Sequence, residues 1–276
     1  MYRELAALVR REALRYVRVP IWIFSSLLIP LLYLILFGQG FNLGKLFPTG
    51  GGPQLSAALL GAPDYFSYFC VGMVGFVALT MSLFSGATII FDKELGVQQR
   101  LVATPAPRAA LFAAPLLFRS LMGCVPAFLV LALSAGFAHV NGLVGLDVTA
   151  TVTPLGVAEI VGATVLLSLS FKSLYIAFGF ALSKPESYFG IVNILNLPIL
   201  FTSNALYPQS TMPAWLQSIV TYNPVSLTVN VLRENLFHTG SYLPYGPGVY
   251  LLGLVGWASL IIVVALLIGR RALAQK

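Results

Sequence analysis

The residues best suited to chemistry lie in one short stretch of a chain that is otherwise almost uncharged. In residues 91–108, FDKELGVQQRLVATPAPR, five ionisable side chains occur within eighteen positions. Over all 276 residues, only 9% of the side chains are charged and 58% are hydrophobic. Mixed charge at helical spacing, followed by Pro105 and Pro107, favours a structured contact surface over a plain basic loop.

Other residue types that do chemistry are scattered. His139 and His238 are single histidines without neighbours at metal-ligand spacing, and no serine-hydrolase or zinc-protease motif occurs. The sequence nearest to a phosphate-binding loop, QGFNLGKL at 39–46, lacks the first glycine and has Leu46 where Ser or Thr would bind the metal. We therefore expect no catalytic residue, no metal, no cofactor and no ATP hydrolysis in this chain.

The composition indicates an integral membrane protein. An ordinary soluble domain has about 25% charged residues, and 9% is too few to cover the surface of a 276-residue domain. The apolar runs are long enough for helices and too long for barrel strands. The net charge of +7 is assigned to Lys and Arg beside the membrane spans, and nucleic-acid binding is not expected.

The apolar segments predict an all-α integral membrane fold with six transmembrane helices in a single domain, 1–276. The predicted spans cover about 20–37, 65–91, 115–138, 154–182, 188–206 and 247–269. Pro30 predicts a kink in the first span, and Pro115 and Pro126 interrupt the third.

The distribution of basic residues predicts the orientation of the spans. Thirteen Lys and Arg fall in segments on the side of the N-terminus, and only Lys45 and Arg233 fall on the other side. Because basic residues accumulate on the cytoplasmic side, both termini and residues 91–108 are predicted to be cytoplasmic.

Three connecting segments carry helical patterns of their own. Residues 1–19 place arginines opposite an apolar face, which predicts an amphipathic interfacial helix. Residues 92–104 begin with acidic residues and end before a proline pair, which predicts a short helix on the cytoplasmic surface. Residues 207–246 contain two short apolar pieces broken at Asn223-Pro224, which predicts short re-entrant or interfacial outer helices before span six.

Two of these segments resemble parts of the ABC-2 type transporter permeases. The pattern D-K-E-x-G-V-x-Q-R-L-x-A-T-P-x-P-R at 92–108 is similar to the cytoplasmic coupling segment of that family. The stretch FTSNALYPQSTMPAWLQSIVTYNPVSLTVNVLREN at 201–235 is similar to its outer segment, and looks most like the daunorubicin- and multidrug-resistance branch. Six spans with both ends inside fit the family over the whole chain.

The resemblance implies a membrane subunit of an ATP-driven exporter in a bacterial or archaeal cytoplasmic membrane. Two permeases, identical or sister chains, would pair, and two cytoplasmic ABC ATPase subunits holding ATP and Mg would dock beneath them. Residues 92–104 would be the coupling helix, with helix 1–19 beside it. ATP binding would move these helices and switch the permease between inward-open and outward-open states. The cargo would be a hydrophobic or amphipathic compound, either a drug or lipid-like.

The candidate site has two groups of residues. The ATPase contact is predicted to be carried by Glu94, Gly96 and Arg100, with Asp92 and Lys93 at its edge. The resemblance implies a substrate cavity between the two permeases, lined by spans two and five. It is predicted to combine an aromatic and methionine wall with amides that would be unfavourable against lipid. Its residues are Phe69, Met73, Phe76, Thr80, Asn193, Asn196 and Leu200.

Three other functions remain open. An exporter of lipid-linked polysaccharide needs a wider and more polar channel than a Phe-rich span two suggests. An intramembrane enzyme needs paired carboxylates, His clusters or a Ser/Lys pair at one depth. A channel or secondary transporter needs buried charge pairs at mid-membrane, and only Lys172 hints at this. We expect the Lys172 ammonium to snorkel to the cytoplasmic interface and Glu159 to reach water near the outer end.

Overall fold

The computed structural model describes residues 8–14, 18, 21–38, 57, 59–97, 100, 108–140, 143–237 and 242–274. Regular structure within these ranges is helical, and the ranges contain no β-strand. The prediction of an all-α fold is confirmed for this part of the chain. The other residues of the predicted segments 1–19, 92–104 and 207–246 lie outside the described residues.

Nine α-helices of nine residues or more follow the short helical segment 8–14 in the described ranges. They are α1 (Ile21–Tyr33), α2 (Tyr65–Glu94), α3 (Arg108–Met122), α4 (Cys124–Phe137), α5 (Pro154–Ala181), α6 (Pro185–Phe201), α7 (Ala214–Tyr222), α8 (Pro224–Leu236) and α9 (Pro247–Ala274). A π-helical turn, Leu34–Gly38, extends α1, and a 3₁₀ turn, Gln209–Thr211, precedes α7.

Four helical stretches of the described chain are long and apolar enough to cross a membrane. They are Tyr65–Glu94, Ala114–Phe137, Pro154–Ala181 and Pro247–Gly269, which correspond to the predicted spans two, three, four and six. In the region of span one, a shorter apolar helix covers Leu27–Gly38, and in the region of span five, α6 has 17 residues. The count of six spans stays a prediction.

Side-chain caps and prolines fix where the helices begin. The Asp64 carboxylate accepts a hydrogen bond from the Ser67 backbone N–H at 2.7 Å at the start of α2. Thr153 Oγ1 accepts one from the Gly156 N–H at 3.0 Å at the start of α5. Proline is the first residue of α5, α6, α8 and α9, where its missing N–H would have no partner within the helix.

Span three is interrupted at Gly123, and Pro126 contributes to the interruption because it has no N–H to donate to the carbonyl of residue 122. Gly123 separates α3 from α4, whereas Pro115 lies inside α3. Pro126 is the third residue of α4, where backbone N–H groups have no partner within the helix, so a proline is tolerated. Ala114–Phe137 is therefore two helices in series.

Helices α2 and α5 form the centre of the fold. Helix α5 packs most extensively on α9 and α2, and α8 packs on α2, α5 and α9. In the most apolar 18-residue window of each span, 67% of α2 is buried inside the structure, compared with 22% of α9. Most of α9 is therefore left uncovered by the described chain, whereas α2 lies inside the fold.

The chain that follows α6 is buried without being helical. Span five was predicted to reach residue 206, but α6 ends at Phe201. Ser203, Asn204 and Ala205 are fully buried beyond that point. Their backbone approaches α2 so closely that a Cβ on Gly72 would lie 1.7 Å from Ala205 O, so this contact requires glycine.

Candidate functional site

The predicted coupling segment begins as the last turn of a membrane-span helix. Helix α2 continues to Glu94, and Gly96 then adopts a left-handed backbone conformation with φ of 67°. Glycine favours this conformation, which ends many helices. Val97 and Arg100 beyond the turn are helical. The predicted coupling segment 92–104 therefore shares its first three residues with α2, and its extent as a helix of its own stays a prediction.

Two of the predicted coupling side chains turn into the protein. Asp92 is 6% exposed, and its Oδ2 lies 3.6 Å from Arg11 Nη2 of the N-terminal helical segment. Lys93 Nζ donates to Phe180 O at 2.6 Å and to Leu182 O at 2.7 Å. These carbonyls lie at the C-terminal end of α5, where a cation is favoured. Asp92 and Lys93 thus hold the end of α2 against its neighbours.

The next residues of the segment face outward. Glu94 and Arg100 are exposed, and Leu95 between them is 72% exposed. The turn at Gly96 therefore presents an acidic, an apolar and a basic side chain together. A surface of this kind suits a protein partner, because an exposed apolar side chain beside charges gains by being covered.

Arg119 on α3 joins the N-terminal segment to α2. Its Nε and Nη2 donate to Glu12 Oε2 at 2.8 and 2.6 Å. Its Nη1 donates to Ser85 O at 2.7 Å and also to Thr88 Oγ1. The side chains of Glu12 and Arg119 are only 7% and 12% exposed. The Arg119 guanidinium therefore links α3 to the N-terminal segment and to α2 at a site that is largely shielded from water.

Lys172 lies in α5 and its side chain is buried within the protein. It is 1% exposed, and its Nζ donates to Arg119 O at 2.7 Å. The same carbonyl accepts the Gly123 N–H at 2.8 Å, at the break between α3 and α4. The prediction that Lys172 snorkels is wrong, because an acceptor lies within its reach inside the protein. We call the following five residues the Glu12–Arg119 cluster: Arg11, Glu12, Asp92, Arg119 and Lys172.

A second buried cation lies at the other end of α2. Arg233 on α8 is fully buried, with its guanidinium carbon 3.6 Å from the centroid of the Tyr68 ring. Its Nη2 donates to Tyr68 O at 3.2 Å and to Asn204 O at 3.0 Å. Tyr68 Oη donates to the same Asn204 O at 2.7 Å, and Asn204 Nδ2 donates to Asn230 Oδ1 at 2.8 Å. These four residues are the Arg233 cluster.

Arg233 belongs to the segment that was predicted to form short re-entrant or interfacial outer helices, and its place on the outer side stays a prediction. It is a core residue, because α8 lies between α2, α5 and α9. Within the described residues its Nε and Nη1 have no hydrogen-bond partner. The described chain also brings together no group of three or more His, Cys, Asp or Glu side chains that could hold a metal ion.

Sequence reasoning missed Glu12, Arg119 and Arg233 as site residues. Arg119 carried a signal, because it lies within the predicted third span, and an ionisable residue at membrane depth is a functional candidate by default. Glu12 is an acidic residue among the arginines of the N-terminal segment, which is a weaker signal. Arg233 had none, since Glu234 and Asn235 beside it give the same polar pattern as a loop.

Comparison with known proteins decides the family. The sequence profile described as ABC-2 type transporter matches residues 3–237. This chain belongs to the ABC-2 type transporter family. A protein of Cyanophora paradoxa that is named as a transport permease, ycf38, is 29% identical over 240 residues, which are 86% of this chain and 75% of that protein.

A further relative of this ABC-2 permease comes from a bacterium. The daunorubicin resistance ABC transporter permease protein DrrB1 of Streptomyces coeruleorubidus is 27% identical over 246 residues, which are 86% of this chain and 76% of that protein. The resemblance of the sequence to ABC-2 permeases is thereby confirmed, and the chain is a multi-pass membrane permease.

The ABC-2 permease does not bring all the predicted cavity residues to one surface. Phe69, Met73 and Leu200 are buried within the single chain. Asn196 is partly exposed, and its Oδ1 accepts a hydrogen bond from Tyr175 Oη on α5. Three of the predicted residues keep an exposed or partly exposed side chain without such a contact to α5: Phe76, Thr80 and Asn193.

Proposed function

We propose that this permease is the membrane subunit of an ATP-driven exporter. Two cytoplasmic ABC ATPase subunits, which would hold the ATP and Mg, dock beneath a pair of permeases formed by this chain with a second copy or a sister chain. The six spans cross the cytoplasmic membrane with both termini inside. Family membership supports an ABC ATPase partner in general, and the distribution of Lys and Arg supports the orientation.

The observation that carries this proposal is the exposed turn at the end of α2. Glu94, Leu95 and Arg100 face outward, while Lys93 fixes the same turn to the end of α5. A chain without an ATP site of its own can use ATP only through a mechanical contact of this kind, and that contact shifts the permease only if it binds its two states unequally. Gly96 gives the turn its shape.

Within the predicted coupling group we assign two roles. Glu94 and Arg100 contact the ATPase, because they are exposed on either side of the turn. Asp92 and Lys93 position the turn, because their charges are directed toward Arg11 and toward the end of α5. This assignment keeps all of the predicted coupling residues and separates contact from support.

The test is purification of the tagged chain from its native membrane, followed by ATPase measurements on the complex. We expect an ABC ATPase to co-purify in equal numbers with the permease. The double variant Glu94→Ala and Arg100→Ala should weaken this association about tenfold or more, since central charged contacts cost about 2 kcal/mol when truncated. Membrane insertion should be unchanged.

A matched control uses two exposed charges on the next predicted cytoplasmic connection. Lys184 and Glu186 are exposed beside the start of α6, and the double variant Lys184→Ala and Glu186→Ala should retain the ATPase. Absence of any ABC ATPase from the purified complex, or equal loss in both double variants, would refute the proposed coupling site.

We propose that the cargo is a hydrophobic or amphipathic compound that meets Phe76, Thr80 and Asn193. An exposed amide at membrane depth is unfavourable against lipid, which supports a cavity or a partner opposite Asn193 on α6. The name of the relative DrrB1, which records daunorubicin resistance, supports a drug-like cargo.

Daunorubicin can serve as the first probe, measured as stimulation of the ATPase in the purified complex. Asn193→Leu should weaken its apparent affinity about fivefold, because one hydrogen bond contributes about 1 kcal/mol. The control is Ile194→Leu, which keeps an apolar side chain at the neighbouring exposed position. If ATPase stimulation depends on daunorubicin concentration in the same way in the two variants, Asn193 is not part of the cargo site. Stimulation by a lipid-linked glycan and not by daunorubicin would favour the polysaccharide exporter.

A further inference from the structure

Glu12, Arg119 and Lys172 form a continuous polar connection from the N-terminal segment to α5. The Glu12 carboxylate accepts from the Arg119 guanidinium at 2.6 and 2.8 Å, and the Arg119 carbonyl accepts from Lys172 at 2.7 Å. One residue of α3 is therefore held by its side chain on one side and by its backbone on the other. The connection joins residues 107 and 53 positions apart in sequence.

The Lys172 contact depends on the break in span three. A Cβ on Gly123 would lie 1.8 Å from Lys172 Nζ, so the ammonium occupies the space that another residue's side chain would need. Arg119 O accepts both the Gly123 N–H and the Lys172 ammonium. The Gly123 N–H keeps its helical bond, so the Lys172 ammonium is an additional donor to this carbonyl. Pro126 has no N–H to donate to the carbonyl of residue 122, and a helix can bend where a proline removes one of its hydrogen bonds. The junction at Gly123 is therefore a candidate hinge that Lys172 contacts.

The same connection reaches the proposed ATPase contact. Arg11, beside Glu12, lies 3.6 Å from Asp92 in the last turn of α2, and that turn carries Glu94 at its outer end. Arg119 also donates to Ser85 O and Thr88 Oγ1, one to two turns earlier on α2. A displacement of the turn at Glu94 therefore acts on Arg119 through two routes, the N-terminal segment and α2 itself.

We infer that Glu12, Arg119 and Lys172 are positioning residues for transport, which pass movement of the coupling turn to the hinge at Gly123. The inference rests on the proposed function, because it assumes that an ATPase acts on that turn. Paired and nearly buried charges suit this role, since an interaction with two discrete arrangements can carry coupling between sites, whereas a loose surface pair contributes little.

The first experiment compares two Glu→Gln variants in the complex of permease and co-purified ATPase. Glu12→Gln keeps an acceptor but removes the charge that holds Arg119, and the ratio of cargo-stimulated to basal ATPase should fall about fivefold or more. Glu159→Gln is the matched control. Glu159 accepts from Asn235 Nδ2 at 2.9 Å and has no part in the connection, so the ratio should be unchanged. Glu12→Asp should restore part of the stimulation.

The second experiment reads the hinge without a change to the connection itself. Cys124 follows Gly123 directly and is buried. In the Cys70→Ala background, a non-hydrolysable ATP analogue should change the rate of Cys124 modification by N-ethylmaleimide about fivefold. Glu12→Gln should abolish this response. A merely structural role of the connection would lower stability without producing a nucleotide-dependent rate.

The outcomes separate this inference from the function on which it rests. If no ABC ATPase co-purifies, the proposed function fails first. The proposed function stands if the double variant Glu94→Ala and Arg100→Ala releases the ATPase. The inference still fails if, in the chain with Glu94 and Arg100 intact, the rate of Cys124 modification is the same with and without nucleotide. If Glu12→Gln does not assemble, the Cys124 measurement in the chain with Glu12 intact still decides.

Discussion

The two ends of α2 hold their buried charges in different ways. Near Asp92, the Glu12–Arg119 cluster contains ion pairs between side chains from separate parts of the chain. Near Tyr68, about 36 Å away along the helix, Arg233 has no ion pair among the described residues. It is held by the face of an aromatic ring and by two backbone carbonyls.

The two clusters therefore differ in role. The Glu12–Arg119 cluster is a joint, whose contacts can change, and the Arg233 cluster is an anchor, whose contacts stay fixed. Ion pairs between separate segments can part and form again, since each charge keeps its other partners, as Arg119 does with Ser85 and Thr88. The cation of the Arg233 cluster is bound to backbone atoms of a buried, non-helical segment that touches Gly72. We expect the first cluster to move during transport and the second to keep one arrangement.

The largest expected effect is that of a methyl group on Gly72. Its Cβ would lie 1.7 Å from Ala205 O, a backbone atom that cannot withdraw alone. Gly72→Ala should therefore destabilise the protein by about 4 kcal/mol or more, a size that requires a specific mechanism such as overpacking. The measurement is thermal unfolding in detergent, monitored by the reaction of a thiol-reactive dye with the two buried cysteines.

Gly123→Ala makes the corresponding change at the other cluster. The new methyl group meets the end of the Lys172 side chain, which can turn away, so we expect a loss of about 2–3 kcal/mol from the broken hydrogen bond of a buried charge. Gly162→Ala, where nothing lies within 4 Å, should be neutral or slightly stabilising. Equal losses for Gly72→Ala and Gly123→Ala would remove the distinction between joint and anchor.

The sequence predicted the features that depend on local pattern. The all-α fold, the apolar segments of spans two, three, four and six, and membership of the ABC-2 family follow from hydropathy and from two short motifs. The structure also has two short helices that meet at Asn223, where the side chain accepts the Val225 N–H at 2.8 Å. Asn-Pro marks such a boundary in any context, so distant contacts were not needed to find it.

The sequence could not predict features that depend on distant contacts. Arg233 meets Tyr68 across 165 positions, and nothing local shows whether a charged residue on a short helix faces water or the core. Lys172 has a side chain long enough to reach either the interface or Arg119, and the position of the hinge at Gly123 decided between them. The buried side chains of Phe69 and Met73 likewise depend on neighbours that the aromatic stripe of α2 does not reveal.

A smaller effect than those of Gly72→Ala and Gly123→Ala is expected when Arg233, the cation of the Arg233 cluster, is replaced by an apolar side chain of similar length. Arg233→Met removes a buried charge that has no ion-pair partner in the described chain, so no opposite charge is left behind. Replacing buried ionic groups by apolar ones of similar volume is often neutral or stabilising, and the lost contact with Tyr68 offsets part of that gain. We expect a change within about 1 kcal/mol in the same unfolding assay.

Two further variants show whether volume or charge decides stability at each end of α2. Arg233→Ala should cost about 3–5 kcal/mol, because it leaves a cavity where a large buried side chain stood. Glu12→Leu should cost clearly more than Arg233→Met despite removing a smaller side chain, because it leaves the nearly buried Arg119 cation without its carboxylate. If Arg233→Met were the more harmful of the two, the cation itself and not the packing around it would hold the anchor, and the two ends of α2 would follow the same rule.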